Sequence, residues 1–306
     1  MHLIAIDWGT SALRGALLDG RGHVLEERSA PRGILTVPPG GFPALFEELF
    51  GDWMRPTGSF CLISGMAGSK QGWVEAPYCP CPSGRVEVGN AIVEIEPGRI
   101  AIVPGLSDMH DGVPDVMRGE EVQIFGAMAI TGLSDGLFVL PGTHNKWATV
   151  KRGRVTGFRT FMTGEFYALL SQHSILARTL DAQAPLDEVA FLEGVTQADN
   201  GQGLLHNAFG ARTLALFDRM PAGELASYLS GLLIGEELRT QSIHGGELVL
   251  IGSPALTQRY LLALEISGNT ARTLGTEATW AGLHALAAIH LASKANHEPH
   301  GRSEGG

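Results

Sequence analysis

Apolar and polar positions alternate in short bursts over the first thirty residues. Leu3-Ile4-Ala5-Ile6 is an apolar run ending at Asp7, and Trp8-Gly9-Thr10-Ser11 has the composition of a turn. Leu13 to Leu18 resumes a strand pattern, and Asp19-Gly20-Arg21-Gly22 is a hairpin signal. Val24-Leu25-Glu26-Glu27 continues outward. The pattern predicts an antiparallel three-stranded meander.

The same grammar returns further along. Leu137-Phe138-Val139-Leu140 is an apolar strand, Pro141-Gly142-Thr143-His144-Asn145 a turn, and 146–150 a second strand. Arg152-Gly153-Arg154 turns again and 155–161 continues. A Gly-Thr turn and a later turn glycine stand eleven residues apart in both copies, Gly9 to Gly20 and Gly142 to Gly153. Two copies of one unit, 133 residues apart, predict two related domains. The boundaries expected are 1–132 and 133–293, with the last helix packing back toward the first domain, and a polar tail over 294–306.

Between and after the copies lie further α/β signals. Residues 42–53 carry Phe42, Leu45, Phe46, Leu49 and Phe50 at helical spacing. Phe60-Cys61-Leu62-Ile63 reads as a buried strand leading into Ser64-Gly65-Met66-Ala67-Gly68, and Ile100-Ala101-Ile102-Val103 as another. Helices are predicted over 120–130, after Gly164 with Phe166, Leu169 and Leu170 on one face, over 225–239, and over 276–292. Glu247-Leu248-Val249-Leu250-Ile251 reads as a buried strand ending at Gly252-Ser253-Pro254. There Ser253 suits an N-cap and Pro254 the first helical position.

Composition narrows the class. Hydrophobic residues make up 44% of the 306, which excludes a disordered chain. Glycine is high, 41 residues or about 13% against a usual ~7%. It points to many turns and to close backbone approaches to a ligand. A net charge of −10 without a basic cluster argues against a nucleic-acid surface and against an anionic membrane surface. No apolar run approaches the ~20 residues of a spanning helix, and the N-terminus reads as a strand rather than a signal peptide. A cytoplasmic protein is expected. Cys61, Cys79 and Cys81 are an odd set with no zinc spacing and read as ordinary reduced thiols.

Candidate chemistry gathers at the turns. Asp7 closes a buried strand before Gly9, Thr10 and Ser11. Small residues let backbone N–H groups approach a phosphate, and a carboxylate at a strand end can hold Mg²⁺ directly or through water. Gly142, Thr143 and His144 offer the same phosphate-facing chemistry, and either turn taken alone is also a plain hairpin. Gly252 and Ser253 stand where a strand meets a helix N-terminus, a place that favours a nucleotide or phosphate.

This combination resembles the actin-like ATPase superfamily of sugar kinases. Within it the segments IAIDWGTSALRGALLD, ISGMAGSKQGWVEAPY, MRGEEVQIFGA, LPGTHNKW and GFRTFMTGEFYALLSQHSILAR are similar to the 2-dehydro-3-deoxygalactonokinase family over residues 4–178. The adenosine-type segment extends the likeness to about residue 260. The resemblance implies an α/β fold of two duplicated actin-like (ribonuclease H-like) domains with ATP in a cleft between them. It makes 7–14 the first phosphate motif with Asp7 organising Mg²⁺, Gly142-Thr143 the second, and 248–253 part of the adenosine motif. The activity implied is transfer of the ATP γ-phosphate to the 6-hydroxyl of 2-dehydro-3-deoxy-galactonate.

In other sugar kinases of this superfamily an Asp at a helix start, just before the second phosphate motif, takes the hydroxyl proton. Here that slot holds Gly119-Glu120-Glu121. Glu120 is the first choice as base and Glu121 the second, and both would also suit a helix N-terminus electrostatically. The substrate carboxylate needs donors, for which Arg118, Lys146 and Arg159 are placed. Lys146 could instead meet a phosphate, and Arg159 could equally lie on a solvated face. In 64–78, Ser64, Ser69 and Gln71 could bond sugar hydroxyls and Trp73 could stack on the sugar, unless the segment is an ordinary loop. Rival readings are a kinase for another acidic or neutral sugar and an actin-like ATPase of chaperone, filament or regulatory type.

Overall fold

The computed structural model of the chain describes residues 2–243 and 246–296. It divides into two compact units. The first holds the chain up to Asp135, Ala148–Phe158 and the described residues from Thr276 onward. The second holds Gly136–Trp147 and Arg159–Gly275.

The first unit opens with β1 (Leu3–Trp8), β2 (Leu13–Leu18) and β3 (Val24–Ala30), an antiparallel meander as the alternation predicts. Helix α1 (Phe42–Phe50) follows, then β4 (Phe60–Gly65), which lies parallel to β1. Next come β5 (Tyr78–Pro80), β6 (Ser83–Gly84), α2 (Arg85–Asn90), β7 (Val93–Glu96) and β8 (Ile100–Ile102). After them stand β9 (Gly105–His110), β10 (Val113–Met117) and α3 (Glu120–Thr131). The main sheet has the order β3-β2-β1-β4-β8-β7, and β10-β9-β5 form a small second sheet. Every residue of β4 is buried, as is β1 from Leu3 to Ile6. Such unbroken burial suits central strands of a sheet covered on both faces. Phe42, Leu45, Phe46 and Phe50 of α1 pack with Trp8 and Trp53 in the core, so the helical spacing read from the sequence is the face that is buried.

The second unit begins with β11 (Gly136–Leu140), and β12 (Asn145–Lys151) and β13 (Arg154–Phe161) continue from it. Helices α4 (Thr163–His173), α5 (Glu188–Ala198), α6 (Leu204–Leu216) and α7 (Ala222–Leu238) follow. Then come β14 (Leu248–Ile251), α8 (Pro254–Ile266) and β15 (Arg272–Leu274). β14 is parallel to both β11 and β15. The order β13-β12-β11-β14-β15 repeats the order β3-β2-β1-β4-β8. The two Gly-Thr turns occupy the same place in it, between the first and second strands of each copy.

The division differs from a single cut after residue 132. β12 and β13 each pass from one unit to the other along their length, and α9 (Glu277–Ala295) packs in the first unit against α3, α2, β1 and β4. The tail expected from 294 begins inside α9, and residues 297–306 lie outside the described residues. One helix face also needs correction. Phe166 and Leu169 of α4 are exposed, whereas Tyr167 and Leu170 pack on the core cluster around Leu225, Leu229 and Leu233. α5 and α6, not read from the sequence, pack on α7. α7 is buried without interruption from Leu225 to Glu237, as expected of a central helix with no solvent face.

Candidate active site

In the first unit, Asp7 stands near the end of β1 with Arg14 of β2 and Ser64 of β4 as register partners. The Arg14 guanidinium donates to the Asp7 carboxylate, which is 15% exposed. The turn beyond it is tight and braced from behind. Gly9 N–H donates to the Ala12 carbonyl at 2.9 Å, and Ile34 N–H to the Gly9 carbonyl at 3.0 Å. A β-carbon on Gly33 would overlap the Thr10 carbonyl oxygen and the Ser11 backbone. Thr10 and Ser11 remain exposed.

β4 ends at Gly65, whose φ of +88° and close neighbours both require glycine. A β-carbon there would lie 2.8 Å from the Trp8 carbonyl oxygen and 3.3 Å from Asp7 Oδ1. Gly119, with φ +106°, precedes α3, and its own β-carbon would lie 3.3 Å from Gly65 Cα. The ends of β1 and β4 and the start of α3 therefore converge with only backbone between them.

Both acidic residues of α3 fold back over its N-terminus, where the helix dipole favours negative charge. Arg118 N–H donates to Glu120 Oε2 at 3.0 Å, and Gly119 N–H to both Glu121 oxygens at 2.9 and 2.7 Å. Burial separates the pair. Glu120 is half-buried, whereas Glu121 is 0% exposed. Burial, reinforced by the neighbouring Glu120 charge, pushes the Glu121 carboxyl up to about 8. Glu121 is thus sealed from solvent and holds its proton at neutral pH, while Glu120 is the carboxylate that a reactant can reach.

Arg118, 8% exposed, donates from Nη2 to the Ala76 carbonyl at 2.7 Å, and its guanidinium lies 4.3 Å from the Tyr78 ring centroid. Among the described residues its Nε and Nη1 find no partner, nor does Ser69 Oγ. Each such buried group costs about 1–3 kcal/mol while it stays unmet. The other candidates of 64–78 divide. Ser64 is fully buried and donates to the Ile6 carbonyl at 3.3 Å. Trp73 is half-buried and stacks on Phe42 at 6.3 Å, beside Trp8 and Phe46. Both are engaged in packing the unit. Gln71 is exposed.

In the second unit, the turn between β11 and β12 is held by its neighbours. Gly142 N–H donates to Asn145 Oδ1 at 2.7 Å, and Glu165 N–H to the Thr143 carbonyl at 3.0 Å. His144 Nε2 lies 2.5 Å from a Glu165 carboxylate oxygen. Gly142 itself borders open space, since no atom lies within 4 Å of where its β-carbon would be. Lys146 is buried in β12 and donates to Thr160 Oγ1 at 2.7 Å, whereas Arg159 on β13 is exposed. Ser253 precedes α8 with Pro254 at its start, as predicted, yet its hydroxyl makes no capping bond. The N-terminal N–H groups of α8 are therefore not capped by it. A cavity of about 230 Å³ opens beside these elements, lined by Gly142, Asn145, Gly164, Tyr167, Arg259 and Tyr260 among others. Arg259 donates to Ser230 Oγ at 2.9 Å. Tyr167 and Arg259 escaped the sequence reading, because nothing local distinguishes them from helix surface. The one available signal was the position of Arg259 one and a half turns into the helix that Ser253 opens.

A duplicated α/β fold with a glycine turn after the first strand of each copy is that of paired actin-like domains. The family model for 2-keto-3-deoxy-galactonokinase matches residues 7–286, and the chain belongs to this family. It is 35% identical to the 2-dehydro-3-deoxygalactonokinase of Escherichia coli (strain K12), over 93% of this chain and 97% of that one. A crystal structure of a protein from Sinorhizobium meliloti assigned as a 2-dehydro-3-deoxygalactonokinase superposes with a TM-score of 0.86. It is 36% identical and the match covers 93% of this chain and 98% of that one. In fold alone, the activator of 2-hydroxyisocaproyl-CoA dehydratase from Clostridium difficile is also similar. Its TM-score is 0.52 at 13% identity, over 97% of each chain. The chain is therefore an ATP-dependent kinase of carbohydrate metabolism. No helix among the described residues is long and apolar enough to cross a membrane.

Proposed function

We propose that the chain transfers the γ-phosphate of ATP to the 6-hydroxyl of 2-dehydro-3-deoxy-D-galactonate, giving the 6-phosphate in galactonate catabolism. The family match over most of the chain supports the substrate. The observation that carries the mechanism is the division of labour at the start of α3, where Glu120 is accessible and Glu121 is not.

In this reading the 6-hydroxyl gives its proton to the Glu120 carboxylate as its oxygen bonds the γ-phosphorus. The bond from that phosphorus to the β–γ bridging oxygen breaks, and ADP leaves. Such a transfer depends chiefly on positioning and charge stabilisation. Thr10, Ser11 and the braced Gly9 turn donate to phosphate in the first unit, and the Gly142-Thr143-His144 turn does so in the second. The adenosine end of ATP takes the cavity beside Gly142 and α8, whose size suits a base with part of its ribose. Arg118 and Ser69, whose buried polar atoms lack partners, receive the substrate carboxylate once the segment 66–77 admits it. Lys146, held by Thr160, contributes charge behind the second turn, and Arg159 serves solvation.

Mg²⁺ fits the residues present. It keeps most of its waters and takes one or two carboxylates plus phosphate oxygens. Asp7 supplies such a carboxylate, with Oδ1 facing Gly65 and Oδ2 shared with Arg14. When bound, the ion neutralises phosphate charge. The reading implies the cytoplasm, where MgATP is available.

The test is a coupled ADP-release assay with MgATP, offering 2-dehydro-3-deoxy-galactonate, its gluconate epimer and several aldoses. Glu120→Gln is expected to lower kcat by about 10²–10⁴ with nucleotide binding intact. Turnover on every sugar but the galactonate acid would overturn the substrate. Steady ATP hydrolysis indifferent to sugar would overturn the kinase mechanism. Full activity in the variant would remove Glu120 as the base.

A further inference from the structure

Glu237, near the end of α7, is 3% exposed and belongs to neither Gly-Thr turn. Donors from three other elements converge on its carboxylate. Trp147 Nε1 of β12 donates to Oε1 at 2.5 Å. Asn145 Nδ2 of β12 and the Tyr260 hydroxyl of α8 donate to Oε2 at 2.7 and 2.8 Å, and the Thr163 hydroxyl of α4 donates to the same oxygen. Asn145 carries the connection onward, for its Oδ1 accepts the Gly142 N–H at 2.7 Å.

Stability alone does not account for this arrangement. Well-packed apolar side chains usually serve a core as well as a buried charge does. What they cannot do is choose between the two faces of a carboxamide. Were the Asn145 amide turned over, its oxygen would face the Glu237 carboxylate and its NH₂ would face the Gly142 N–H, two repulsive contacts in place of two bonds. An acceptor at Glu237 therefore fixes which end of Asn145 meets the turn. Burial raises the Glu237 carboxyl above its ordinary range, and the four donors oppose that rise and favour the acceptor-only, ionised form. Asn145, Thr163 and Tyr260 also line the cavity assigned to the nucleotide, so the network is its floor.

The geometry points to Glu237 as the positioning residue of the second phosphate turn: acting through Asn145 it holds the Gly142 N–H inward and so sets the Thr143 and His144 backbone that meets the nucleotide. This rests on the kinase reading above. A glutamine in its place offers one acceptor and one donor, and the donor end must face either Trp147 Nε1–H or the Asn145 amide. The orientation is then no longer imposed.

The experiment titrates the full chain calorimetrically with MgADP and, separately, with 2-dehydro-3-deoxy-galactonate. It compares the parent with Glu237→Gln, Asn145→Ala and the double variant, each with its thermal midpoint. Expected are a loss of tenfold or more in MgADP affinity in each single variant and sugar-acid affinity within twofold of the parent. The double variant should be no weaker than the weaker single one, because both changes break one chain of bonds. In turnover, KM for ATP should rise while KM for the sugar acid holds. Unchanged MgADP affinity in Glu237→Gln overturns the proposal. So do effects that multiply in the double variant, or equal weakening of both ligands. If Glu237→Gln fails to fold, Asn145→Ala decides alone, with unchanged nucleotide affinity as the refuting result. A parent that binds no MgADP has a separate signature: it sinks the kinase reading, and this proposal with it.

Discussion

At the start of α3 two adjacent glutamates differ in what water can reach, and this has a consequence for pH. Folded, Glu121 holds its proton up to about 8, against an ordinary value of 4.5. Between those values the folded chain binds a proton that the unfolded chain has released, so stability falls as pH rises through the window and stays low above it. At ~1.4 kcal/mol per tenfold change in proton affinity, the contribution is on the order of several kcal/mol. Glu121→Gln keeps a carbonyl oxygen for the Gly119 N–H and cannot ionise. Urea unfolding at pH 5, 7 and 9 is expected to show a smaller decline in the variant than in the parent. Parallel declines would mean that the Glu121 carboxyl is already ionised in the folded chain at pH 5 and is not raised. The sequence offered both glutamates as one motif and preferred Glu120 on register alone. The deciding quantity, burial, depends on the β-strand ends and on α9 packed against α3, and no local pattern encodes it. The same holds for Trp73, a sugar-stacking candidate by its loop and a packing residue by its aromatic neighbours Phe42, Trp8 and Phe46.

Between elements, glycine does more than turn the chain. A β-carbon on Gly126 of α3 would overlap the Ala278 carbonyl of α9, and one on Gly282 of α9 would overlap the Val122 carbonyl of α3. In the second unit Gly194 of α5 and Gly231 of α7 stand in the same reciprocal relation, against the carbonyls of Tyr228 and Phe191. Each helix pair thus meets backbone to backbone. The glycine excess was legible in the composition and pointed to turns and ligand approaches. This use of it was not, because the partner of Gly126 lies some 150 residues away. Gly126→Ala is expected to destabilise the chain by about 3 kcal/mol or more, since neither backbone can yield without separating the helices. It should also lower kcat, because α3 carries Glu120. Gly210→Ala in α6 is the control. Its nearest neighbour, the Tyr228 hydroxyl, would lie 3.4 Å from the new carbon. There the gain in helix propensity, about 0.5–1 kcal/mol, should keep stability at or above that of the parent. A Gly126→Ala chain melting with the parent would refute the tight crossing.

For the whole molecule, the repeated strand-turn-strand unit is what the sequence disclosed best. Two apolar strands, two Gly-Thr turns and one spacing sufficed, because a meander is local and its turn residues are its punctuation. The chain's passage between units was hidden, since β12 and β13 read as ordinary strands whichever unit their ends join. In the proposed mechanism the two reactants meet different sets of residues, and hydrogen exchange can test that proposal. MgADP should slow exchange in the Gly142–His144 turn, at the start of α8 and along the part of α7 near Ser230. It should leave the segment 66–77 and the start of α3 nearer their free rates. The sugar acid should do the reverse, slowing 66–77 most, because Arg118 and Ser69 are the groups there with buried polar atoms still to be met. Protection of 66–77 by nucleotide alone would move the phosphates, not the sugar, onto Arg118. Protection of both sets by either ligand would mean that the two sites are coupled and that neither reactant can be assigned from one unit by itself.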